Sequence, residues 1–492
     1  KEYGTLISFG YRLDECQQAS CSELEQLLEQ RQVLSKQYYQ TLEEIETAIR
    51  NKRANDEAFV DPNQFALKAR KIVEAQPGTV LIYPLVLEDK IWLMWASKGG
   101  IFTSIEVPDV SQVEVETTVA KLRKLLQNRL SNIDELKTTS KQLYDWLIKP
   151  LEKELKENDI HNLVFALDRS TRYIPMSALF DGEKYLIENY TVSTVLSANL
   201  TDTAEPQNES RVARRSLRLK KRSLEELISV PDGTVASTSQ VPGSISEDSP
   251  KSKVGELKAS DDGNPTVLAL GVSEAVGTFR PLPNVPPELD AIVRQELGET
   301  RGIYAGQEFL NREFNFFTLR DNLPSHQLLH IATHSRFVPG GAHQSFLLLG
   351  TGEKLAIPDI ENWLNLRNVN LVVLSACETA LGGPGLDGRE IAGVGYYFLK
   401  GGAKTVVASL WNVDDYSTRL LMEQFYENLA EGTPSSPVTK AKALRQAQLA
   451  LLKGNNPEPP DQNDNNVLSE NRHNDFQHPY YWAAFILMGR GF

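Results

Sequence analysis

The amino-acid sequence predicts an α/β fold, a mostly parallel sheet flanked by helices. Two observations carry that expectation. From residue 265 onward, short apolar runs rich in Val, Ile and Leu alternate with longer segments of helical period, the order that builds a parallel sheet covered on both faces. Upstream, between 79 and 106, three β-rich runs are divided by Glu-Asp-Lys and Lys-Gly-Gly turns, the pattern of a meander.

Residues 22–51 carry Leu24, Leu27, Leu28, Leu34, Tyr38, Leu42, Ile45 and Ile49, mostly three or four apart, with charged and amide side chains between them. That spacing predicts an amphipathic helix. A second helix is expected at 64–75. Strands follow at 79–87, 91–97 and 100–106, then helices at 111–130 and 140–156. A buried strand is expected at 161–167, and two short strands or one extended run at 185–195. Residues 203–264 break the pattern. Arg211, Arg214, Arg215, Arg218, Lys220, Lys221 and Arg222 come first, and the rest is Ser-, Gly-, Pro- and acid-rich without an aromatic residue. Little apolar area is available there to offset the backbone entropy of ordering, so a flexible insertion is expected. Beyond it, strands are expected at 266–272, 302–307, 327–332, 370–376 and 404–410. Helices are expected at 286–297, 313–322, 358–366, 389–400, 417–431 and 437–452. A polar insertion at 454–477 precedes a closing run at 480–488, and no internal repeat is evident.

The 492 residues, 41% of them hydrophobic, hold enough apolar material for one large or two to three ordinary domains. A net charge of −13 argues against general binding of nucleic acid, whose phosphates need a cationic face. The longest apolar runs, such as 79–87 and 371–377, fall short of the roughly 20 residues a membrane-spanning helix needs. Cys16, Cys21 and Cys377 make neither a disulfide framework nor a metal-ligand spacing, which predicts a reducing, cytoplasmic setting. No segment reads as a signal peptide. The chain starts at Lys1 rather than Met, as expected if an N-terminal part is missing.

In open α/β sheets, ligands gather at the carboxyl ends of the strands. Two such ends carry reactive groups: the strand at 327–332 leads to His334, and the strand at 370–376 leads to Cys377 and a Gly-rich turn. One helical crossover separates them, so they are expected to be neighbours, about 5 Å apart per strand step. A thiol beside an imidazole supplies a nucleophile and a base that later protonates the leaving amine. Each residue also has a plainer role. A cysteine ending an apolar strand is commonly a small buried hydrophobe, and a strand histidine commonly a structural hydrogen-bonder. Residue type and spacing alone leave the two alternatives open. The turn at 382–388 lacks the Lys-Ser/Thr ending of a phosphate-binding loop. Gly383 stands where a cysteine phosphatase needs Arg.

The segments His330-Ile-Ala-Thr-His334 and Leu374-Ser-Ala-Cys377-Glu-Thr379 resemble the two signature motifs of the CHAT domain family, a caspase-like family named for caspase, HetF and associated TPRs. Val407-Ala-Ser-Leu-Trp-Asn-Val-Asp-Asp415 is similar to the family's next strand, and His478-Pro-Tyr-Tyr-Trp-Ala-Ala-Phe485 to its closing strand. The stretches at 143–151, 168–179 and 185–198 resemble its amino-terminal half. The resemblance covers about 75–492, apart from the two insertions. It implies a caspase-like α/β fold of two tandem related halves, a degenerate one at 76–202 and a catalytic one at 265–492. An N-terminal helical segment at 1–75 and the insertion at 203–264 complete the division.

The resemblance implies a cysteine peptidase with Cys377 as nucleophile, His334 as base, and the backbone N–H groups of Ser335 and Cys377 as oxyanion hole. Ser335 stands where the family often has Gly. No metal and no organic cofactor is implied. His330, on a strand without a Glu-flanked helical spacing, reads as structural rather than as a zinc ligand. Asp414 and Asp415 are read either as caps of the following helix or as acids of a pocket selecting Arg or Lys at P1, with Asp387 a second candidate. The expected partners are a protein substrate and a regulatory protein at the N-terminal helices, since TPR repeats often precede such domains. The basic cluster at 211–222 is read as a solvated loop, a local contact for an acidic partner or nucleic acid, or a self-cleavage site. A catalytically silent interaction scaffold is the competing function. Among cyanobacterial members, the one that supplies the H of the family name acts in heterocyst development.

Overall fold

A computed structural model describes residues 62–98, 102–196, 265–295, 301–337, 345–375, 378–379, 395, 397–432, 438–454 and 476–491. The expected helix at 22–51, the insertion at 203–264 and most of the one at 454–477 lie outside these residues, as do Cys377 and Asp387. Backbone contacts divide the chain into Lys1–Gln64 and Phe65–Phe492, and the sheets belong to the second unit.

Helix α1, Pro62–Glu74, leads into the meander β1 (Thr79–Val86), β2 (Ile91–Ala96) and β3 (Phe102–Val107). Helix α2, Gln112–Leu126, starts at a reciprocal cap: Glu114 N–H donates to Ser111 Oγ, and Ser111 N–H donates to the Glu114 carboxylate. Helix α3, Ile133–Leu147, starts seven residues before the expected 140, because the Asn132 side chain accepts from the N–H groups of Asp134 and Glu135. It also ends sooner. Pro150 lacks an N–H and disfavours helix at its predecessor, so a 3₁₀ turn at Lys149–Leu151 separates α3 from α4, Glu152–Glu157. After β4 (Asn162–Phe165), the run at 185–195 is part helix: α5, Leu186–Asn189, precedes β5, Thr191–Thr194. There Tyr185 N–H donates to Glu188 Oε1 at 2.8 Å, a cap that favours the turn over a strand.

The second half runs β6 (Val267–Gly271), α6 (Val285–Ile292), β7 (Val293–Arg294), β8 (Tyr304–Leu310), α7 (Phe316–Asn322) and β9 (Leu328–Ala332). Helix α6 stops at Ile292 rather than 297, because Val293 pairs with Tyr304 of β8. Four short strands follow as β10 (Ser335–Phe337), β11 (Phe346–Leu348), β12 (Lys354–Ala356) and, after α8 (Ile357–Trp363) and β13 (Leu371–Leu374), β14 (Glu378–Thr379). Of these, β10, β11, β12 and β14 form a separate small sheet. The chain closes with β15 (Thr405–Ser409), α9 (Asp415–Ala430), α10 (Lys440–Leu452), α11 (Pro479–Trp482) and β16 (Phe485–Gly489). The expected closing strand at 478–485 is therefore a turn of helix, started by Pro479 and capped by His478, with the strand just beyond it.

The main sheet has the order β3-β2-β1-β4-β5-β16-β15-β13-β9-β6-β8-β7. Among the described residues, eight of its eleven pairings are parallel; β1/β2, β2/β3 and β15/β16 are antiparallel. This is the mostly parallel, helix-flanked sheet that the sequence predicts. Alternate strand residues feed two cores. Val267, Ala269, Leu371, Val373 and Val407 pack toward α6, α9 and α10. Leu268, Leu270, Val372, Leu374 and Val406 pack toward α7 and α8. Each fully buried aliphatic side chain contributes about 1.5–3 kcal/mol. For the site, β13 matters most: it lies between β15 and β9, parallel to both, with Val373 opposite His330 and Leu374 opposite Ile331.

Candidate active site

Strand β9 is buried throughout and delivers Thr333 and His334 to the carboxyl rim of the sheet. Thr333 Oγ1 donates to Leu348 O at 2.7 Å, which fixes the turn just before His334. The imidazole is half-buried. Its Nε2 lies 2.7 Å from the carbonyl oxygen of Arg280. A carbonyl only accepts, so Nε2 carries the proton, and Nδ1 is the nitrogen available to act as base. Phe279 packs beside the ring, with centroids 5.1 Å apart.

The loop that supplies Phe279 and Arg280 follows β6 and is tied at both ends. Asn311 holds its start: Oδ1 accepts from the N–H groups of Ser273 and Glu274 at 2.8 and 3.1 Å. Leu282 N–H donates back to Ser273 O at 2.9 Å. Beyond the loop, Asn284 donates to Asp415 Oδ2 from its backbone N–H at 2.9 Å and from Nδ2 at 2.8 Å. The start of α6 is thereby joined to the start of α9.

These elements surround a cavity of about 670 Å³ that His334 shares with Arg280, Glu288, Ser375 and Asp415. Arg336 and Lys354 also line it, so cationic and anionic side chains border one space. Burial raises the Asp415 pKa above the usual carboxylate range, and the charges of Glu288 and Asp414 add to the rise, while the two Asn284 hydrogen bonds oppose it. Asp414 is differently employed. Its Oδ1 accepts from Ser417 N–H at 3.0 Å, the helix-capping role that its sequence position allows.

Ser335 is fully buried at the start of β10. Leu348 N–H donates to His334 O at 2.9 Å, and Ser335 stands opposite Leu347. The alternation of an antiparallel pair therefore turns the Ser335 N–H away from β11, toward the side on which β10 pairs with β14. Leu374 faces Ile331, whereas Glu378 faces Arg336. Between the main sheet and the small one, four steps of one chain thus run against five of the other. Positions 334 and 377 both fall inside this interval.

Several residues of the site went unread in the sequence. The Arg280 contribution is a backbone carbonyl, which every residue has. Asn284, Glu288 and Ser375 carry no motif, but Glu288 did leave a trace. It falls on the apolar stripe Val285, Leu289, Ile292 of α6, where an acid is out of place. His330, expected to be structural, is fully buried beneath the rim, its Nδ1 3.2 Å from the Tyr426 hydroxyl. Among the described residues, no group of three or more His, Cys, Asp or Glu is arranged to hold a metal ion, and no helix is long and apolar enough to cross a membrane.

A parallel α/β sheet with a cavity and an imidazole at its carboxyl rim defines the class. The model of the CHAT domain family matches residues 137–490, and the chain belongs to that family, whose caspase-like fold class it shares. Comparison with curated proteins returns no match. Among solved structures, the chain is similar to the Saccharomyces cerevisiae separase–securin complex, with 11% identity and a TM-score of 0.46, over 86% of this chain and 31% of that one. It thus spans about a third of the length of that relative. It is also similar to the Arg-specific cysteine proteinase gingipain R, with 9% identity and a TM-score of 0.35, over 77% and 74% of the two chains. A Porphyromonas gingivalis complex of the RgpB pro- and mature domains matches with 11% identity and a TM-score of 0.34, over 77% and 76%.

Proposed function

We propose that the chain is a cysteine endopeptidase that hydrolyses a protein substrate through an acyl-thioester on Cys377, with His334 as base and acid. The observation that carries the reading is the parallel pairing of β9 with β13. Neighbouring strands, about 4.8 Å apart, end at Ala332 and Leu374 on the same rim of the sheet, two residues before His334 and three before Cys377. The sequence motifs and the family support it.

In this reading, Nδ1 of His334 takes the thiol proton and the sulfur adds to the scissile carbonyl carbon. The carbonyl oxygen gains the negative charge and accepts hydrogen bonds from the N–H groups of Ser335 and Cys377. Collapse breaks the C–N bond, and the proton on Nδ1 leaves with the amine. Water, deprotonated by the same nitrogen, then attacks the thioester, releasing the acid and restoring the thiol. Nδ1 suits both steps because the Arg280 carbonyl holds the other ring nitrogen. Asp415, in the cavity that His334 also lines, supports a preference for Arg or Lys at P1. Asp414, already a helix cap, and Asp387 are secondary candidates. The Arg-rich stretch at 211–222 is then a substrate within the chain itself.

Purified protein is expected to cleave peptides with Arg or Lys at P1. Cys377→Ala should abolish cleavage, and His334→Ala should slow it by on the order of 10²-fold or more. Cleavage that survives Cys377→Ala, or labelling of Cys377 no faster than that of an ordinary buried thiol, removes the reading and leaves a silent scaffold.

A further inference from the structure

We propose that Glu288 is a positioning residue for the Cys377–His334 pair: its buried carboxylate bridges the two strands that lead to them and sets their separation. The role rests on the peptidase reading above.

The bridge is visible in three side chains. Ser375, two residues before Cys377, donates from Oγ to Glu288 Oε1 at 2.6 Å. His330, four residues before His334, brings Nε2 to 3.1 Å from the same oxygen, close but off the direction of a hydrogen bond. Both strands meet at Oε1 because side chains alternate along a strand. Val373 is opposite His330, so His330 and Ser375 project to one face, the face on which α6 packs. With Nε2 turned to a carboxylate, the His330 proton belongs on Nε2, and Nδ1 accepts from the Tyr426 hydroxyl. Tyr426 stays protonated, since burial pushes its pKa well above the ordinary range.

Position gives the bridge its function. Among the described residues, backbone pairing of β9 with β13 ends at Leu374↔Ile331, and the next pair of the two chains is Glu378↔Arg336 of β14 and β10 in the small sheet, with one more residue on the histidine side. Positions 334 and 377 both fall, in sequence, between these two described pairs. Glu288, Ser375 and His330 are 1%, 2% and 0% exposed, so the contact is not loosened by water. An isolated acid in such a place is costly, and a leucine would fill the α6 stripe without that penalty. Glu288 nevertheless lines the cavity that holds His334.

The test uses the full chain, a peptide with Arg at P1, and iodoacetamide labelling of Cys377 across pH. Glu288→Ala is expected to lower kcat by about 10²-fold with KM within about twofold, as for a misplaced reactive group. It should also move the labelling profile toward that of a free thiol, near pH 8.5. Glu288→Gln keeps the volume and one acceptor for Ser375, and should lose about tenfold. Ser375→Ala, which cuts the bridge at its other strand, should shift kcat and the profile in the same sense. A folded Glu288→Ala that melts lower but keeps kcat and the profile overturns the role. Should the Ala variant fail to fold, unchanged values in the Gln variant overturn it equally. Wild type that neither cleaves nor labels faster than an ordinary thiol sinks the peptidase reading itself. That outcome is distinct from an active wild type indifferent to Glu288.

Discussion

In the proposed reading, Asp415 selects a cationic P1 side chain, and pH exposes that link between charge and specificity. Its pKa lies above the usual carboxylate range because burial and two neighbouring acids disfavour the charged form. The carboxylate attracts a cationic P1 side chain only when ionised. That attraction is complete well above the raised pKa and is lost as pH falls through it, at a higher pH than for an ordinary aspartate near 3.9. The ratio of kcat/KM for an Arg peptide to that for its neutral citrulline counterpart, measured against pH, reads this directly. Asn284→Ala removes the Nδ2 hydrogen bond, one of the two that lower the pKa, and keeps the backbone one, so the fall should move to somewhat higher pH. Asp415→Asn should cut the ratio by about 10–100-fold and flatten its pH dependence; a ratio that stays steep moves the role to Asp387. At this scale the sequence was readable where a side chain stands just beyond a strand end, as with His334, which the structure brings to the cavity. It was mute where a backbone carbonyl does the work, as with Arg280.

Among elements, legibility followed length. Strands β6, β9, β13 and β15 are four or five residues long and mostly apolar, and the sequence located each within a residue or two. Strands β10, β12 and β14 have two or three residues, too few to display a period of two. They exist because neighbouring chain pairs with them. Helix–helix docking is equally invisible to local pattern. Arg445 of α10 donates from Nε to Ile187 O and from Nη2 to Glu188 O, both at 2.6 Å, using carbonyls at the end of α5. Hydrogen bonds from a charged donor contribute about 1.5–3 kcal/mol each. Arg445→Leu, which keeps part of the apolar stem, should therefore lower unfolding stability by about 2–4 kcal/mol. A denaturant midpoint within error of wild type shows that water replaces both bonds at no net cost.

The two halves of the chain share one sheet, and the joint is β16. This last strand pairs antiparallel with β15 from Thr405↔Gly489 to Ser409↔Phe485, and parallel with β5 at Met488↔Thr194. Thr194 Oγ1 also donates to Leu487 O at 2.9 Å. A partner drawn from the far end of the chain leaves no local signal, which is why the alternation of strands and helices told the class of sheet but not its order. The joint has a consequence for self-processing. A cut at 211–222 separates β5 from β6 in sequence, yet β5 and β15 remain held through β16, and Arg445 stays on the carbonyls of Ile187 and Glu188. Buried apolar side chains from both halves, including Leu186, Ile187, Leu444 and Phe485, belong to one core, each contributing about 1.5–3 kcal/mol. Limited trypsin digestion that nicks 211–222 should give two fragments in denaturing gels that still elute together at the intact size in native chromatography. If the same bands appear in wild type without trypsin and not in Cys377→Ala, the cut is the enzyme's own. Fragments that separate without denaturant contradict the shared sheet, because separation requires β16 to leave β5 and Arg445 to leave the carbonyls of Ile187 and Glu188.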